Sequence, residues 1–547
     1  MFKFVPPIAL CAALISFPSL ATTPQTIEID GVTATRIVIA PPQTPLAGII
    51  KSGLKTSYKN TKPSTRAYED AQQLYHFYGA RHFEPLWLTE DIDGKVIFSA
   101  NAQAILDVFG KARLTGLNPS DYLTSEIKLD LVDSNPEKLA DLETAFSAAA
   151  MRYAQDTFSG RIKPSTVSGY IDIKPRPLNK AKTLMELASA SDPAKFLLDL
   201  EPKHREFLAL KSALAKFDAD PAEKAVTIPD GAILRPGKRD PRAALLRQRL
   251  NLEAINENET LYDDELVAAI EAFQHSLGLI VDGVVGPATV AALNGGRATS
   301  RADIVANMER WRWMPEELGD FMVMVNVPEF RLEIMDHGKV AYTTRVVTGT
   351  KANQTPVFSD EIEHIVVNPF WNVPRSILVK ELGPQIVANP GYVARNNMEL
   401  MSGGKVIDAS AVDWSSTSVS NFRIRQRPGS GNALGTVKFL FPNKHAVYLH
   451  DTPSKSLFSR SFRAFSHGCV RVHKPWEFAE ALLKREARVK VASLENQRGN
   501  KERWNNLDTH IPVHLTYFTL RIDENGSIRS YGDVYGHNAK LIKMLGE

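Results

Sequence analysis

Apolar positions along the chain recur first with a helical period and later with a strand period. Between residues 67 and 217, Leu142, Phe146, Ala149 and Tyr153 repeat at three- and four-residue spacing, as do Phe207, Leu210, Leu214 and Phe217. That spacing predicts amphipathic helices and an α-helical scaffold over 67–217. Residues 218–240 carry Pro221, Pro229, Gly231 and Pro236 and read as a linker. A compact three-helix unit is expected over 241–296, with helices at Ala243–Leu252, at about Asp263–Leu277 and ending near Leu293. Residues 301–319 read as a connecting helix with Ile304, Met308 and Trp311 on one face.

The period then switches to two. Phe330, Leu332 and Ile334 alternate with Arg331 and Glu333. A turn at Asp336-His337-Gly338 follows, and Val340, Tyr342, Thr344 and Val346 form the return strand. Ile365–Val367, Val437–Leu440 and Ala446–Leu449 are further strand candidates, giving a mostly β domain over 320–492. Within it, the Gly- and Pro-rich stretch 378–432 breaks the rhythm and reads as an inserted subdomain or lid. The extension 493–547 returns to alternation at Val513, Leu515, Tyr517 and Thr519 and is expected to add edge strands after a turn at 523–526. Residues 22–66 are polar, with a small hairpin predicted around Asp30-Gly31, and suggest no function.

Composition refines this picture in two places. Lys and Arg total 65 against 62 Asp and Glu, a charge of +3, which gives no support to nucleic-acid binding. The N-terminus has Lys3, an apolar run from Phe4 to Phe17, and Ser19-Leu20-Ala21. That is the layout of an export signal cleaved after Ala21. The run is too short to span a bilayer, and no later segment reaches 18 apolar residues, so no stable membrane span is expected after cleavage. Cleavage would also remove Cys11, leaving Cys469 as the one thiol.

That thiol sits in Ser466-His467-Gly468-Cys469-Val470-Arg471-Val472, with His450 nineteen residues upstream in Tyr448-Leu449-His450-Asp451-Thr452-Pro453. A thiol attacks a carbonyl as thiolate, and a nearby histidine both accepts its proton and stabilises the charge. His450, His467 and His473 are candidates, with His450 favoured because it follows a strand. Gly468 removes bulk beside the nucleophile, so the N–H groups of Gly468 and Cys469 could face a developing oxyanion. Arg471 shares strand parity with Cys469 and could hold a substrate carboxylate or stabilise charge.

These residues resemble the signature of the L,D-transpeptidase (YkuD-type) catalytic domain. Thr355-Pro356, Asn368–Pro374 and Ser376-Ile377 extend the resemblance. Phe273, Gln274, Gly278, Leu279, Asp282, Gly283, Gly286, Pro287, Thr289, Ala292 and Leu293 resemble the pattern of a peptidoglycan-binding helical module. The whole layout is similar to the large periplasmic L,D-transpeptidases of Gram-negative bacteria. The resemblance implies that Cys469 forms a thioester with a donor tetrapeptide stem at meso-diaminopimelate and releases D-Ala. An acceptor amine then resolves the thioester into a 3→3 cross-link. It further implies Ser466 and His467 as support, Tyr448 and Trp371 as substrate-lining residues, and residues 378–432 as a cap over the donor groove. Either Asp451 or a backbone carbonyl would orient His450. The implied partners are stem peptides and glycan strands, with penicillin-binding proteins or glycosyltransferases beside them. The implied location is the periplasm, no metal or organic cofactor is required, and carbapenems would acylate the cysteine. The alternatives are an L,D-carboxypeptidase or a non-catalytic wall-binding scaffold.

Overall fold

A computed structural model describes residues 25–547, apart from 30–31, 37–38, 64, 128–134, 220–225, 227, 230, 251, 255–258, 277–280, 294–299 and 523–526. The stretch read as an export signal with Cys11, the Gly278-Leu279 pair and the expected turn at 523–526 lie outside the described residues. The predicted hairpin pairs Gln25–Ile29 with Val32–Arg36. Among the described residues, no helix is long and apolar enough to cross a membrane.

The chain forms two compact units. The first comprises the described residues up to Arg113, Leu117–Phe158 and Pro177–Glu201 and is mostly helical. Its core gathers Leu142, Phe146, Ala149 and Tyr153, the positions read as one helical face, together with Phe109. It also takes in Ala47, Ile50 and Leu54 from a helix over Pro45–Asn60, inside the stretch read as an extension. Thr44 caps that helix by accepting the Ala47 N–H, and Pro45 sits in its first turn, where its missing N–H costs nothing.

The second unit holds the remainder. Its three short helices, Arg242–Arg249, Asp264–Ser276 and Pro287–Leu293, match the expected three-helix module. The residues read as a linker contribute to this module: Ile228 and Leu234 are buried in its core, and Leu234 pairs with Val285. The motif residue Gln274 explains why the pattern exists. Its Nε2 donates to Asp282 Oδ1 and the Val284 carbonyl, both at 3.0 Å, and to Thr289 Oγ1 at 3.3 Å. Its Oε1 accepts the N–H groups of Asp282 and Gly283. One buried amide thus closes the turn between two helices. Gln274→Leu strands these donors and acceptors, and a loss of about 2–3 kcal/mol is expected in the module's melting transition, followed by circular dichroism.

The helix Arg301–Trp313 departs from the amphipathic reading, since every residue from Asp303 to Trp313 is buried. Its charges are accommodated in part by partners, while Arg310 Nε and Nη2 and Arg312 Nε make no hydrogen bond among the described residues. Glu309 accepts the Ile162 N–H at 2.8 Å and lies 3.6 Å from Arg312, while Arg310 donates to Asn538 Oδ1 at 2.8 Å. It is a core helix that reads as a connector because its partners come from distant sequence.

The strand-rich domain is built on nine strands: β1 (Phe321–Asn326), β2 (Arg331–Asp336), β3 (Lys339–Gly349), β4 (Phe358–Val367), β5 (Val437–Leu440), β6 (Leu449–His450), β7 (Ala464–Ser466), β8 (Val470–Val472) and β9 (Arg503–Thr516). Their order is β7-β3-β8-β6-β5-β4-β9-β1-β2, and β2 also pairs with β3, so the ladder returns on itself. Strand β9 sits between β4 and β1, in the middle of the sheet rather than at the expected edge. The chain then ends in a helix, His537–Leu545, that the alternation did not announce. The stretch read as an insertion has its own core of Ile377, Leu378, Leu382, Ile386, Leu400 and Ile424. It also has its own four-stranded sheet, whose last strand is Trp371–Asn372, so this substructure begins before residue 378.

Candidate active site

Strand register assembles the site. Strands β6 and β8 run parallel, pairing Leu449 with Val470 and His450 with Arg471. Strands β5 and β6 run antiparallel, pairing Lys438 with His450. Val437, Phe439, Leu449, Val470 and Val472 point into the core. Alternation therefore turns Lys438, Tyr448, His450, Cys469 and Arg471 to the opposite face together.

Cys469 lies just before β8, in a bend where Gly468 has φ +116°. A Cβ there would also meet the Gln354 carbonyl at 3.4 Å, so only glycine takes this conformation without strain. The bend is held by side chains. Ser466 Oγ accepts the Gly468 N–H at 3.1 Å and donates to the Cys469 carbonyl. Thr355 Oγ1 accepts the Gly349 N–H and donates to the Gly468 carbonyl, both at 2.8 Å. Tyr535 supports the same loop by donating to the Gly349 carbonyl at 2.8 Å. Gly468 N–H is taken up by Ser466 Oγ and so is not free to join the expected pair of oxyanion donors, while the Cys469 N–H has no hydrogen-bond acceptor among the described residues.

The Cys469 Sγ lies 3.9 Å from the Ala446 carbonyl. Burial pushes its pKa above the ordinary thiol value, while hydrogen bonds from the Tyr448 backbone N–H and hydroxyl, and the Arg471 charge, work in the other direction. His450 is buried, and its Nδ1 donates to the Asp451 backbone carbonyl. That contact fixes the tautomer and leaves Nε2 as the proton acceptor. Burial, with Arg471 beside it, lowers the His450 pKa to about 3.

Asp451 does not reach the imidazole with its carboxylate. The carboxylate accepts the Thr436 N–H and hydroxyl at 2.9 Å each and the Thr452 N–H at 2.7 Å, and it pairs with Lys455. Burial opposes ionisation, but Lys455 and these donors hold its pKa below the usual carboxylate range. Of the two orienters left open by the sequence, the structure uses the carbonyl, and the carboxylate anchors the segment carrying it. Gly435 makes room, since a Cβ there would fall 2.3 Å from the Asp451 carboxylate.

The other histidines diverge from the thiol. His467 turns outward, its Nε2 2.7 Å from Glu381 Oε1 in the inserted substructure. His473 packs against Phe458, ring centres 4.9 Å apart. Tyr448 is part of the site, its ring 5.6 Å from that of His450, whereas Trp371 packs against the small core of the insertion. Arg471 is on the site face, and its Nε is buried with no partner among the described residues. Lys438 escaped the sequence reading. In Val437-Lys438-Phe439 it reads as an ordinary outward residue, and only the β5–β6 pairing sets it opposite His450.

With a raised thiol pKa and a histidine neutral down to about pH 3, the proton rests on sulfur at neutral pH. Alkylation of Cys469 by iodoacetamide, followed by intact mass, is accordingly expected to accelerate through pH 9 and beyond. A plateau between pH 6 and 8 would instead indicate a preformed thiolate–imidazolium pair.

Residues 320–491 match the profile of the L,D-transpeptidase catalytic domain (YkuD). Over those residues the chain is similar to the L,D-transpeptidase catalytic domain. Residues 72–214 match a scaffold domain, and residues 239–293 match a domain described as "Putative peptidoglycan binding domain". A Haemophilus influenzae protein described as "Putative L,D-transpeptidase" is 34% identical over 242 residues, 44% of this chain and 48% of that protein. The chain thus spans about half the length of that relative. Among solved structures, an L,D-transpeptidase from Xylanimonas cellulosilytica is similar at 18% identity over 53% of this chain and 99% of its own, with a TM-score of 0.15. One from Stackebrandtia nassauensis is similar at 14% identity over 52% and 94%, with a TM-score of 0.21. Likenesses at these scores say nothing about the site.

Proposed function

We propose that this chain is a peptidoglycan L,D-transpeptidase working outside the cytoplasm, with Cys469 as nucleophile and His450 as general base and acid. The observation that supports this most is the shared sheet face of Cys469, Tyr448, His450 and Arg471, with the His450 tautomer fixed by a carbonyl. Cys469 gives its proton to His450 Nε2 and attacks the carbonyl of the L-centre of meso-diaminopimelate in a donor tetrapeptide. The Cys469 N–H faces the oxyanion. The bond to D-Ala breaks, His450 returns the proton to the departing amine, and a thioester remains. An acceptor stem amine attacks the thioester, a 3→3 amide forms and the thiol is restored. Residues 241–296 hold wall glycan, the substructure containing 378–432 covers the donor, and carbapenems acylate the same sulfur.

The test is mass spectrometry of the intact protein and its products after mixing with disaccharide-tetrapeptide. The expected result is a protein adduct equal to the donor minus D-Ala, and a cross-linked dimer lacking one D-Ala. Tripeptide without dimer would make the protein a carboxypeptidase. Neither adduct nor product would sink the reading.

A further inference from the structure

His450 is flanked in register by two cations, Lys438 on β5 and Arg471 on β8. Lys438 is 7% exposed, yet among the described residues its ammonium has no hydrogen-bond acceptor and no carboxylate within 4 Å, and Glu502 is the carboxylate whose charge reaches it from farther away. What it has is aromatic: it lies 5.7 Å from the Tyr448 ring centre and 5.2 Å from that of Trp504. A largely buried lysine whose charge is met only by the more distant Glu502 carboxylate is costly to keep, and cation–π contacts offset only part of that cost. Register explains how Trp504 arrives there. Val366 of β4 pairs with both Lys438 and Trp504, so Trp504, Lys438, His450 and Arg471 form one row across the sheet.

The outer end of this row is also built. Trp504 is 52% exposed, and its Nε1 donates to Glu502 Oε2 at 3.1 Å, while Glu502 Oε1 accepts the Phe370 N–H at 2.8 Å. Beside it, residues of the segment 496–505 line an open surface hollow of about 470 Å³ that includes Lys501, Arg503 and Arg498, the last of which also pairs with Glu495 and lies over the Trp476 ring. Asn368 shapes this loop, donating to the carbonyls of Gln497 and Lys501 and accepting the Gly499 N–H.

We propose that Lys438 is a substrate-binding residue that takes a carboxylate of the wall peptide between the Tyr448 and Trp504 rings, with the basic 496–505 hollow receiving the rest of that anionic chain. This rests on the transpeptidase reading and adds to it a specificity determinant on the side of His450 away from Arg471. The ligand class is a peptide with free carboxylates, since a neutral ligand would leave the ammonium unpaired.

The test uses the full chain. Calorimetric binding of disaccharide-tetrapeptide is compared between Cys469→Ala and the double variant Cys469→Ala/Lys438→Met, using the natural stem and stems with each carboxylate amidated in turn. Lys438→Met is expected to weaken binding of the natural stem about tenfold or more. One amidated stem should bind the Cys469→Ala protein correspondingly worse and be indifferent to Lys438→Met. Lys438→Arg should stay within about threefold of the parent. The melting temperature of Lys438→Met should hold or rise, because an unpaired buried charge is removed. Equal binding by both proteins, while the unmutated enzyme turns the stem over, would overturn the proposal and leave the transpeptidase reading standing. A fall in melting temperature with unchanged binding would make Lys438 structural and also overturn it. If the unmutated enzyme neither binds nor turns over the stem, the functional reading fails and this inference falls with it.

Discussion

Cys469→Ala is expected to abolish D-Ala release and cross-link formation, a loss of about 10⁴-fold or more, because Cys469 is the only thiol among the described residues. The fold should not change with it. The bend around Cys469 is held by Ser466 Oγ on the Cys469 carbonyl and by Thr355 Oγ1 on the Gly468 carbonyl, and neither contact uses sulfur. The sulfur itself has only a 3.9 Å contact to the Ala446 carbonyl and the Tyr448 groups. A melting temperature within a degree or two of the parent, together with silent chemistry by product mass spectrometry, is therefore the expected pair of results. Residual turnover of even a few per cent would mean the acyl group is carried elsewhere and would remove Cys469 from its proposed role.

Much of this site was legible because it is local. Tyr448, His450, Cys469 and Arg471 lie in two short segments, each with a spacing of two, and a spacing of two on a strand means one face. The choice of His450 over His467 followed from its place after a strand, and the +116° turn at Gly468 is what sends His467 away. What escaped depends on long-range pairing. Lys438 has no local signature. It matters only because β5 lies against β6 in a register that sets it opposite His450. Strand β9 opens with Arg503-Trp504-Asn505-Asn506, too polar to announce a central strand, and is held there by neighbours from residues 321–326 and 358–367. The helix Arg301–Trp313 was misread for a related reason. Its charged residues resemble a solvent face until Asn538 and the Ile162 N–H, from distant sequence, are placed against them. Asp451 shows the limit within a local motif, because sequence cannot tell a carboxylate contact from a carbonyl contact made by the same residue.

His450→Gln is expected to lower kcat by about 10²–10⁴-fold with a much smaller change in KM, since glutamine keeps a polar side chain at the site but cannot take the thiol proton. Stability separates this chemical role from a packing role. The buried imidazole has a folded pKa of about 3, against an ordinary value near 6.5 in the unfolded chain, so the unfolded state binds the extra proton between those values. The neutral ring's contribution is fully present above pH 6.5 and is lost as pH falls toward 3, at up to about 1.4 kcal/mol per pH unit. Denaturant unfolding of the parent should therefore weaken steeply from pH 6.5 to 4, and the Gln variant should weaken less. His537, lowered to about 4 mainly by burial, leaves a shared background slope in both proteins. The low value also bears on catalysis. Arg471 and Lys438 are among the causes that hold the imidazole neutral. A bound peptide carboxylate facing either cation would offset that push and make His450 a stronger base when substrate is present. The acid limb of kcat should consequently lie at higher pH than that of kcat/KM. Coincident limbs would mean that substrate charge does not tune the base.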